Sequence, residues 1–289
     1  MKALKGCDHM SKPIIAMMYD FDKTLCTKDM QEYSFIPRVH MESSKFWQEV
    51  NKLATQDEMD SILAYMYYML KKAKAEDVPI KKDDFREAGK NIELFPGVET
   101  FFKRINAFGE SIGVEIEHYI ISSGLKEIIE GSILKDEFKE IYACNFHYDV
   151  NGVADWPSLV VNYTNKTQFL FRINKGVLHI SEDKALNEFK LDEERRIPFR
   201  NMIYIGDGLT DVPCMKLVKM NGGHSIAVYT DRNKALPLLK DGRVNFIMEA
   251  DYEENSELVE TLKMILEKIK VEHQLVEKNY EQKNIDTFL

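Results

Sequence analysis

Two carboxylates with one residue between them, Asp20 and Asp22, stand in the run Tyr19-Asp20-Phe21-Asp22-Lys23-Thr24-Leu25, directly after the apolar stretch Pro13-Ile14-Ile15-Ala16-Met17-Met18. An apolar strand ending in acids delivers anions to the carboxyl edge of a sheet, where open α/β folds bind ligands. Two anions so close repel unless a divalent cation or a shared proton lies between them. Three further polar sites follow the same logic. Ser122, with Ser123 and Gly124 behind it, closes the apolar run His118-Tyr119-Ile120-Ile121. Lys166 opens a helical segment, and Asp207 and Asp211 bracket the glycine-rich turn after Met202-Ile203-Tyr204-Ile205. In a parallel sheet the strand ends of one polarity share an edge, so Asp20, Ser122 and Asp207 converge there.

The residue types suit chemistry on phosphate. Asp20, Asp22 and Asp207 are hard oxygen ligands of the kind magnesium takes, and that ion commonly keeps waters and binds substrate phosphate as well. Ser122 offers a hydroxyl, and the amides near Ser123 and Gly124 open a helix that favours an anion. Lys166 is a point charge able to neutralise a carboxylate and a phosphate oxygen together. A carboxylate attacks a dianionic phosphate only when cations cancel the repulsion, and a metal with a lysine supplies them.

The elements that must hold these groups alternate strand and helix. Ile14 to Tyr19 is the first strand. A helical tract without strands spans about 29 to 92, with Ser43-Ser44 expected to cap one helix, Asp57 to start a second, and Lys82 a third. The core resumes at Phe95-Pro96-Gly97-Val98. Ile141 to Val150 leads into Asn151-Gly152, which predicts a two-residue hairpin turn. Lys166 to Asn174 reads as a helix closed by Lys175-Gly176. Strands follow at Met202–Ile205, Ser225–Tyr229 and Val244–Ile247, and an amphipathic helix from Glu257 to about Glu277, with Lys278 to Leu289 expected to fray. Strands spaced by helices imply an α/β fold with a parallel sheet.

A chain of 289 residues with net charge −9 lacks the overall basic balance of a general nucleic-acid binder. No apolar run approaches the roughly 18 residues of a membrane span, and residues 1 to 12 are too polar for a secretory signal. Cys7, Cys26, Cys144 and Cys214 are scattered without zinc spacing, so a reducing, cytoplasmic setting is expected. The sequence leaves the oligomeric state open.

The chain resembles the haloacid dehalogenase (HAD) superfamily of phosphohydrolases. The four motifs are matched by Asp20-Phe21-Asp22-Lys23-Thr24-Leu25, Ile121-Ser122-Ser123-Gly124, Lys166, and Gly206-Asp207-Gly208-Leu209-Thr210-Asp211. Lys175 is a second candidate for motif three; Lys166 is preferred because it opens its helix on the site side. The resemblance implies a Rossmann-like three-layer core over residues 1–28 and 93–289, a helical cap domain over 29–92, and a β-hairpin insertion. It implies Asp20 as nucleophile, Asp22 as general acid and base, Ser122, Ser123, Gly124 and Lys166 on the phosphate, and Thr24 bracing the loop. Mg2+ would be held by Asp20, the Asp22 carbonyl and Asp207, with Asp211 behind them. The expected activity is hydrolysis of a small phosphate ester through an aspartyl-phosphate. Alternatives are transfer of the phosphoryl group to an alcohol, as in a phosphotransferase or mutase, or phosphate binding without turnover in a regulatory protein. The layout is similar to the phosphoserine-phosphatase branch, but the glutamate and glycine that follow motif one there are replaced by Asp29-Met30 with no glycine. Lys23 stands where a glycine or small residue is common.

Overall fold

The computed structural model describes residues 12–191 and 194–285. Seven strands form one sheet: β1 (Ile14–Tyr19), β2 (Glu115–Leu125), β3 (Glu140–Tyr148), β4 (Ala154–Leu159), β5 (Met202–Gly206), β6 (His224–Tyr229) and β7 (Phe246–Glu249), in the order β4-β3-β2-β1-β5-β6-β7. All neighbours pair in parallel except β3 and β4, which are antiparallel. The expected hairpin is therefore no outgrowth: its first strand is a parallel member of the sheet and its second is the edge.

The helices are α1 (Phe35–Arg38), α2 (Ser43–Gln56), α3 (Ser61–Ala75), α4 (Lys82–Gly89), α5 (Val98–Ile112), α6 (Lys126–Gly131), α7 (Lys166–Lys175), α8 (Asp183–Asn187), α9 (Val212–Met220), α10 (Arg232–Lys240) and α11 (Glu257–Ile285). In β1, Ile15 through Tyr19 are all fully buried, because a central strand alternates its side chains between two covered faces. Helix α5 packs with α11, and α7 packs with α9, to supply those covers. The result is a three-layer, Rossmann-like α/β core with a mixed sheet and additional helices α1–α4.

Helices α1–α4 leave and rejoin the core at one place. Thr27 N–H donates to Glu93 O at 2.9 Å and Phe95 N–H to Leu25 O at 3.0 Å, so the outgoing and returning chains lie side by side. Between them an aromatic cluster holds α2 to its neighbours: the Phe46 ring lies 6.1 Å from Phe35, 5.1 Å from Trp47 and 5.4 Å from Tyr68. Helix α4 sits directly on α6. A Cβ on Gly89 would meet Ile128 O at 2.2 Å and one on Gly131 would meet Arg86 O at 1.9 Å, so the two backbones touch.

Several boundaries differ from the sequence reading. Ser43 and Ser44 lie inside the first turn of α2; the cap position is Glu42, whose side chain makes no cap bond. Asp57 ends α2, and Asp60 caps α3 by accepting from Ile62 N–H and Leu63 N–H, both at 3.0 Å. The hairpin turn covers residues 149–153 rather than Asn151-Gly152 alone. There Asp149 Oδ1 accepts from Asn151 N–H at 2.8 Å and Val153 N–H at 2.9 Å, a side-chain closure that enlarges the turn. Strand β7 starts at Phe246, two residues later than expected, and α11 runs on through the polar stretch to Ile285. Residues 286–289 of the segment expected to fray lie outside the described residues, as does Cys7.

At the far end of β2 from Ser122, Glu117 is buried and accepts from Arg196, Lys139 and Tyr119. Burial pushes its carboxyl up, but these bonds outweigh it and hold the group at about 2.

Candidate active site

The register of the sheet assembles the polar groups. Tyr19 is level with Ile120 on β2 and with Ile205 on β5. Asp20 therefore comes level with Ile121 and Gly206, one residue short of Ser122 within β2 and of Asp207 just past β5. Asp20 N–H donates to Ile205 O at 2.9 Å, which prolongs the pairing past the end of β1 and fixes the loop. One oxygen each of Asp20, Asp207 and Asp211 lie within 4.8 Å of one another.

Lys166, the first residue of α7, is fully buried and joins two of these acids. Its Nζ donates to Asp20 Oδ1 at 3.1 Å and to Asp211 Oδ1 at 2.7 Å. Burial works against the ammonium, yet Asp20 and Asp211 outweigh it and keep Lys166 charged far above neutral pH. Lys175 lies elsewhere, donating at 2.6 Å to Leu186 O and Glu188 O. Asp211 is also held by other protein donors: Tyr204 Oη–H reaches Oδ1 at 2.8 Å and Gly208 N–H reaches Oδ2 at 3.2 Å. Asp20 and Asp207 keep free oxygens. Burial raises the Asp20 carboxyl, against the pull of Lys166, and burial followed by Asp211 and Asp20 raises Asp207.

Asp22 stands apart from that cluster. Its Oδ1 accepts from Met30 N–H at 3.0 Å and from Cys26 Sγ at 3.6 Å. Burial, followed by Asp29 and Asp20, raises its carboxyl well above the usual range. Lys23, next along, has φ = 55°, in the left-handed region. That geometry accounts for the small residue the resemblance would put there.

Strand β2 does not stop at Ile121. Ser122 pairs with Ala143 and Leu125 with Cys144, so Ser123 and Gly124 are extra residues bulged out of the ladder. The bulge is pinned from both sides: Gly124 N–H donates to Ser122 Oγ at 3.0 Å, and Tyr65 Oη–H from α3 donates to Ser123 O at 2.8 Å. Met30 fills the space behind it, its Sδ accepting from Leu125 N–H at 2.8 Å. A Cβ on Gly124 would meet Met30 Cε at 2.2 Å, so any larger residue there has to displace the end of the Met30 side chain. Thr24 Oγ1 and Ser123 Oγ are buried with no partner in the protein, while Thr24 O accepts from Tyr252 Oη–H at 2.8 Å. Asp20, Asp22, Ser122, Ser123, Gly124 and Asp207 all line one cavity of about 440 Å³.

Comparison with known proteins now bears on this arrangement. The family described as Putative Phosphatase matches residues 15–224. The chain belongs to the Putative Phosphatase family. A relative in Borreliella burgdorferi, described as uncharacterized, is 29% identical over 89% of this chain and 96% of its own. A HAD family hydrolase of Salmonella enterica serovar Typhi superposes with TM-score 0.57 at 17% identity, over 84% of this chain and 69% of that one. A phosphoserine phosphatase carrying a phospho-aspartyl intermediate analogue gives TM-score 0.54 at 17% identity, over 88% and 99%. A substrate-bound phosphoserine phosphatase gives 0.55 at 15%, over 88% and 99%. The fold of this Putative Phosphatase family member is thus that of HAD hydrolases, shared with the phosphoserine phosphatases.

The donor set of this Putative Phosphatase family member fits a hard divalent cation. Asp20, Asp207 and Asp211 converge within 4.8 Å, while the buried ammonium among them, Lys166, reaches only Asp20 and Asp211. Oxygen-only ligands, two of them free, are what magnesium takes. Several groups on the cavity wall carried no signal in the sequence as site residues. Gln31, Trp47, Asn51 and Tyr65 line it, although Trp47 and Tyr65 read as ordinary core aromatics and do pack edge to face at 6.0 Å. Only the packing of this helical tract over the strand ends places them on the cavity wall. Among the described residues no helix is long and apolar enough to cross a membrane.

Proposed function

We propose that this chain is a magnesium-dependent phosphomonoesterase that works through a phosphoryl group carried on Asp20. The observation that carries the reading is the buried Lys166 ammonium bridging Asp20 and Asp211 beside Asp207. Structural catalysis aside, such a bridge orients one Asp20 oxygen and leaves the other free to attack. The free Asp20 oxygen forms a bond to phosphorus as the bond to the leaving oxygen breaks. Asp22, whose raised carboxyl favours the protonated form, gives its proton to that leaving oxygen. The resulting Asp22 carboxylate takes a proton from water, the water oxygen attacks phosphorus, and the bond to Asp20 breaks, releasing phosphate. Mg2+, held by Asp20, the Asp22 carbonyl and Asp207, would neutralise phosphate charge during both transfers. Ser122, Ser123 and the Ser123 amide bind the phosphate oxygens, Gly124 N–H holding Ser122 Oγ in place, and Thr24 steadies the loop.

Residues 29–92 act in this reading as a cap domain over a core of 1–28 and 93–289, supported by the single neck at Thr27 and Glu93. The substrate is a small phosphate ester, and the unpaired Cys26, Cys144 and Cys214 thiols support a cytoplasmic setting. The test is hydrolysis of p-nitrophenyl phosphate and a panel of metabolite esters with Mg2+ or with chelator. Wild type should release phosphate only with the metal, and Asp20→Asn should lose at least about 1,000-fold in kcat, as expected when a covalent nucleophile is removed. Full activity in Asp20→Asn would sink the mechanism. Product analysis with an added alcohol distinguishes hydrolysis from transfer.

A further inference from the structure

Lys166 is delivered by a loop that is itself tied to the helical layer, and the tie runs through Asn162. Asn162 Oδ1 accepts from Thr164 N–H at 3.1 Å, Thr164 Oγ1–H at 2.8 Å and Asn165 N–H at 2.9 Å. Asn165 returns the contact: its Oδ1 accepts from Asn162 N–H at 2.8 Å, and its Nδ2 donates to Val160 O at 2.7 Å. Asn162 O then accepts from Lys166 N–H at 2.9 Å. Residues 162–165 are thus closed by their own hydrogen bonds, and the backbone of Lys166 is fastened to them. The Asn162 side chain acts here as a helix N-cap does, just ahead of α7.

The remaining donor of Asn162 leaves the loop. Its Nδ2 donates to Asp60 Oδ2 at 3.0 Å. Asp60 is the N-cap of α3, its Oδ1 accepting from Ile62 N–H and Leu63 N–H. One carboxylate therefore starts α3, one amide starts α7, and the two starts are bonded to each other. Each helix then reaches the same cavity. Ser61, Ile62 and Tyr65 of α3 line it, with Tyr65 holding the Ser123 carbonyl, and Lys166 of α7 holds Asp20 on its wall. A shift of the 162–165 loop moves the Lys166 ammonium relative to Asp20, and a misplacement of about 1 Å at such a group is enough to lower a rate about a hundredfold.

We propose that Asn162 is a positioning residue for Lys166, and that its bond to Asp60 couples the seating of α3 to the placement of that ammonium. The proposal rests on the phosphatase reading above and adds how the helical layer acts on the reacting group. Isosteric exchanges separate this coupling from helix capping. Asn162→Asp keeps the acceptor that Thr164 and Asn165 need, since aspartate caps as well as asparagine, but sets a carboxylate against Asp60. Asp60→Asn keeps an oxygen for Ile62 and Leu63 but sets one amide N–H against another. The double variant Asp60→Asn/Asn162→Asp reverses donor and acceptor and restores the bond. The experiment measures kcat and KM for p-nitrophenyl phosphate with saturating Mg2+, with urea melts to establish that each variant is folded. Each single variant should lose about 10-fold or more in kcat with KM within about twofold, and the double variant should return to within about threefold of wild type. Capping alone predicts wild-type kcat in both single variants, because both caps survive. Should a single variant fail to fold, Asn162→Ser, which also caps a helix start but is too short to reach Asp60, carries the same kcat test. Wild-type kcat in the folded variants, or a double variant no faster than the singles, overturns the coupling and leaves the phosphatase reading standing. No Mg2+-dependent turnover of any ester by the wild type, aryl phosphate included, overturns the phosphatase reading and the coupling with it.

Discussion

Lys166 and Lys175 sit nine positions apart on the same helix, yet the fold gives them opposite surroundings. The first is sealed between two carboxylates; the second ties carbonyl groups near the end of α8. Lys166→Met would leave Asp20 and Asp211 buried without their cation, a loss of about 3 to 5 kcal/mol by analogy with broken buried pairs. It should also abolish phosphatase activity. Lys175→Met removes only hydrogen bonds to carbonyls and should cost about 1 kcal/mol with kcat and KM unchanged. Chemical denaturation and steady-state kinetics on the two variants check both statements. The contrast was legible in the sequence through position alone, since the residue opening a helix after a strand faces the strand ends. Gln31 and Met30 were not legible. Met30 accepts from Leu125 and Gln31 lines the cavity, contacts that local sequence does not describe, and neither residue leaves a periodic or compositional trace.

Among the elements, β2 is clamped at both ends. The Ser123-Gly124 bulge shapes its site end, and the Glu117 cluster anchors the other by drawing in Lys139 before β3 and Arg196 before β5. A carboxyl lowered to about 2 contributes stability that is present above its ordinary range near 4.5 and lost as pH falls toward 2. Wild-type stability should therefore drop across that window by roughly 1 to 3 kcal/mol from this group, given the partial exposure of Arg196 and Lys139. Glu117→Gln should be less stable at pH 7 and flatter between pH 4.5 and 2, as urea melts at several pH values would reveal. Element types and order followed from apolar periodicity. The exact caps did not, because Asp57 and Asp60 are chemically equivalent candidates and the length of α2 decides between them. The bulge was hidden for a related reason: a ladder interruption depends on the neighbouring strand, which local sequence does not describe.

At the scale of the whole molecule, a carboxylate cluster able to hold a divalent cation would couple its binding to folding. A cluster of three acids around one ammonium repels itself, and a divalent ion bound only by the folded state raises stability by about 2.7 kcal/mol at a hundredfold excess over its dissociation constant. The melting temperature should rise with Mg2+ and return to its starting value with chelator, and Asp207→Asn should flatten that response. A flat response in the wild type would mean that the carboxylates do not form a metal site.

The contact between α4 and α6 sets how the cavity can change shape. Helix α3 is held to the core by side-chain bonds, Tyr65 to Ser123 O at 2.8 Å and Asn162 to Asp60 at 3.0 Å, which water can replace. Helix α4 is held by main chain against main chain at Gly89 and Gly131, with Ala154 N–H donating to Ile80 O at 2.8 Å just before it. Nothing can slip between those surfaces. The fixed contact of the helical layer is thus α4 on α6, so a widening of the cavity is expected on the side of α2 and α3, the side that carries Trp47 and Asn51.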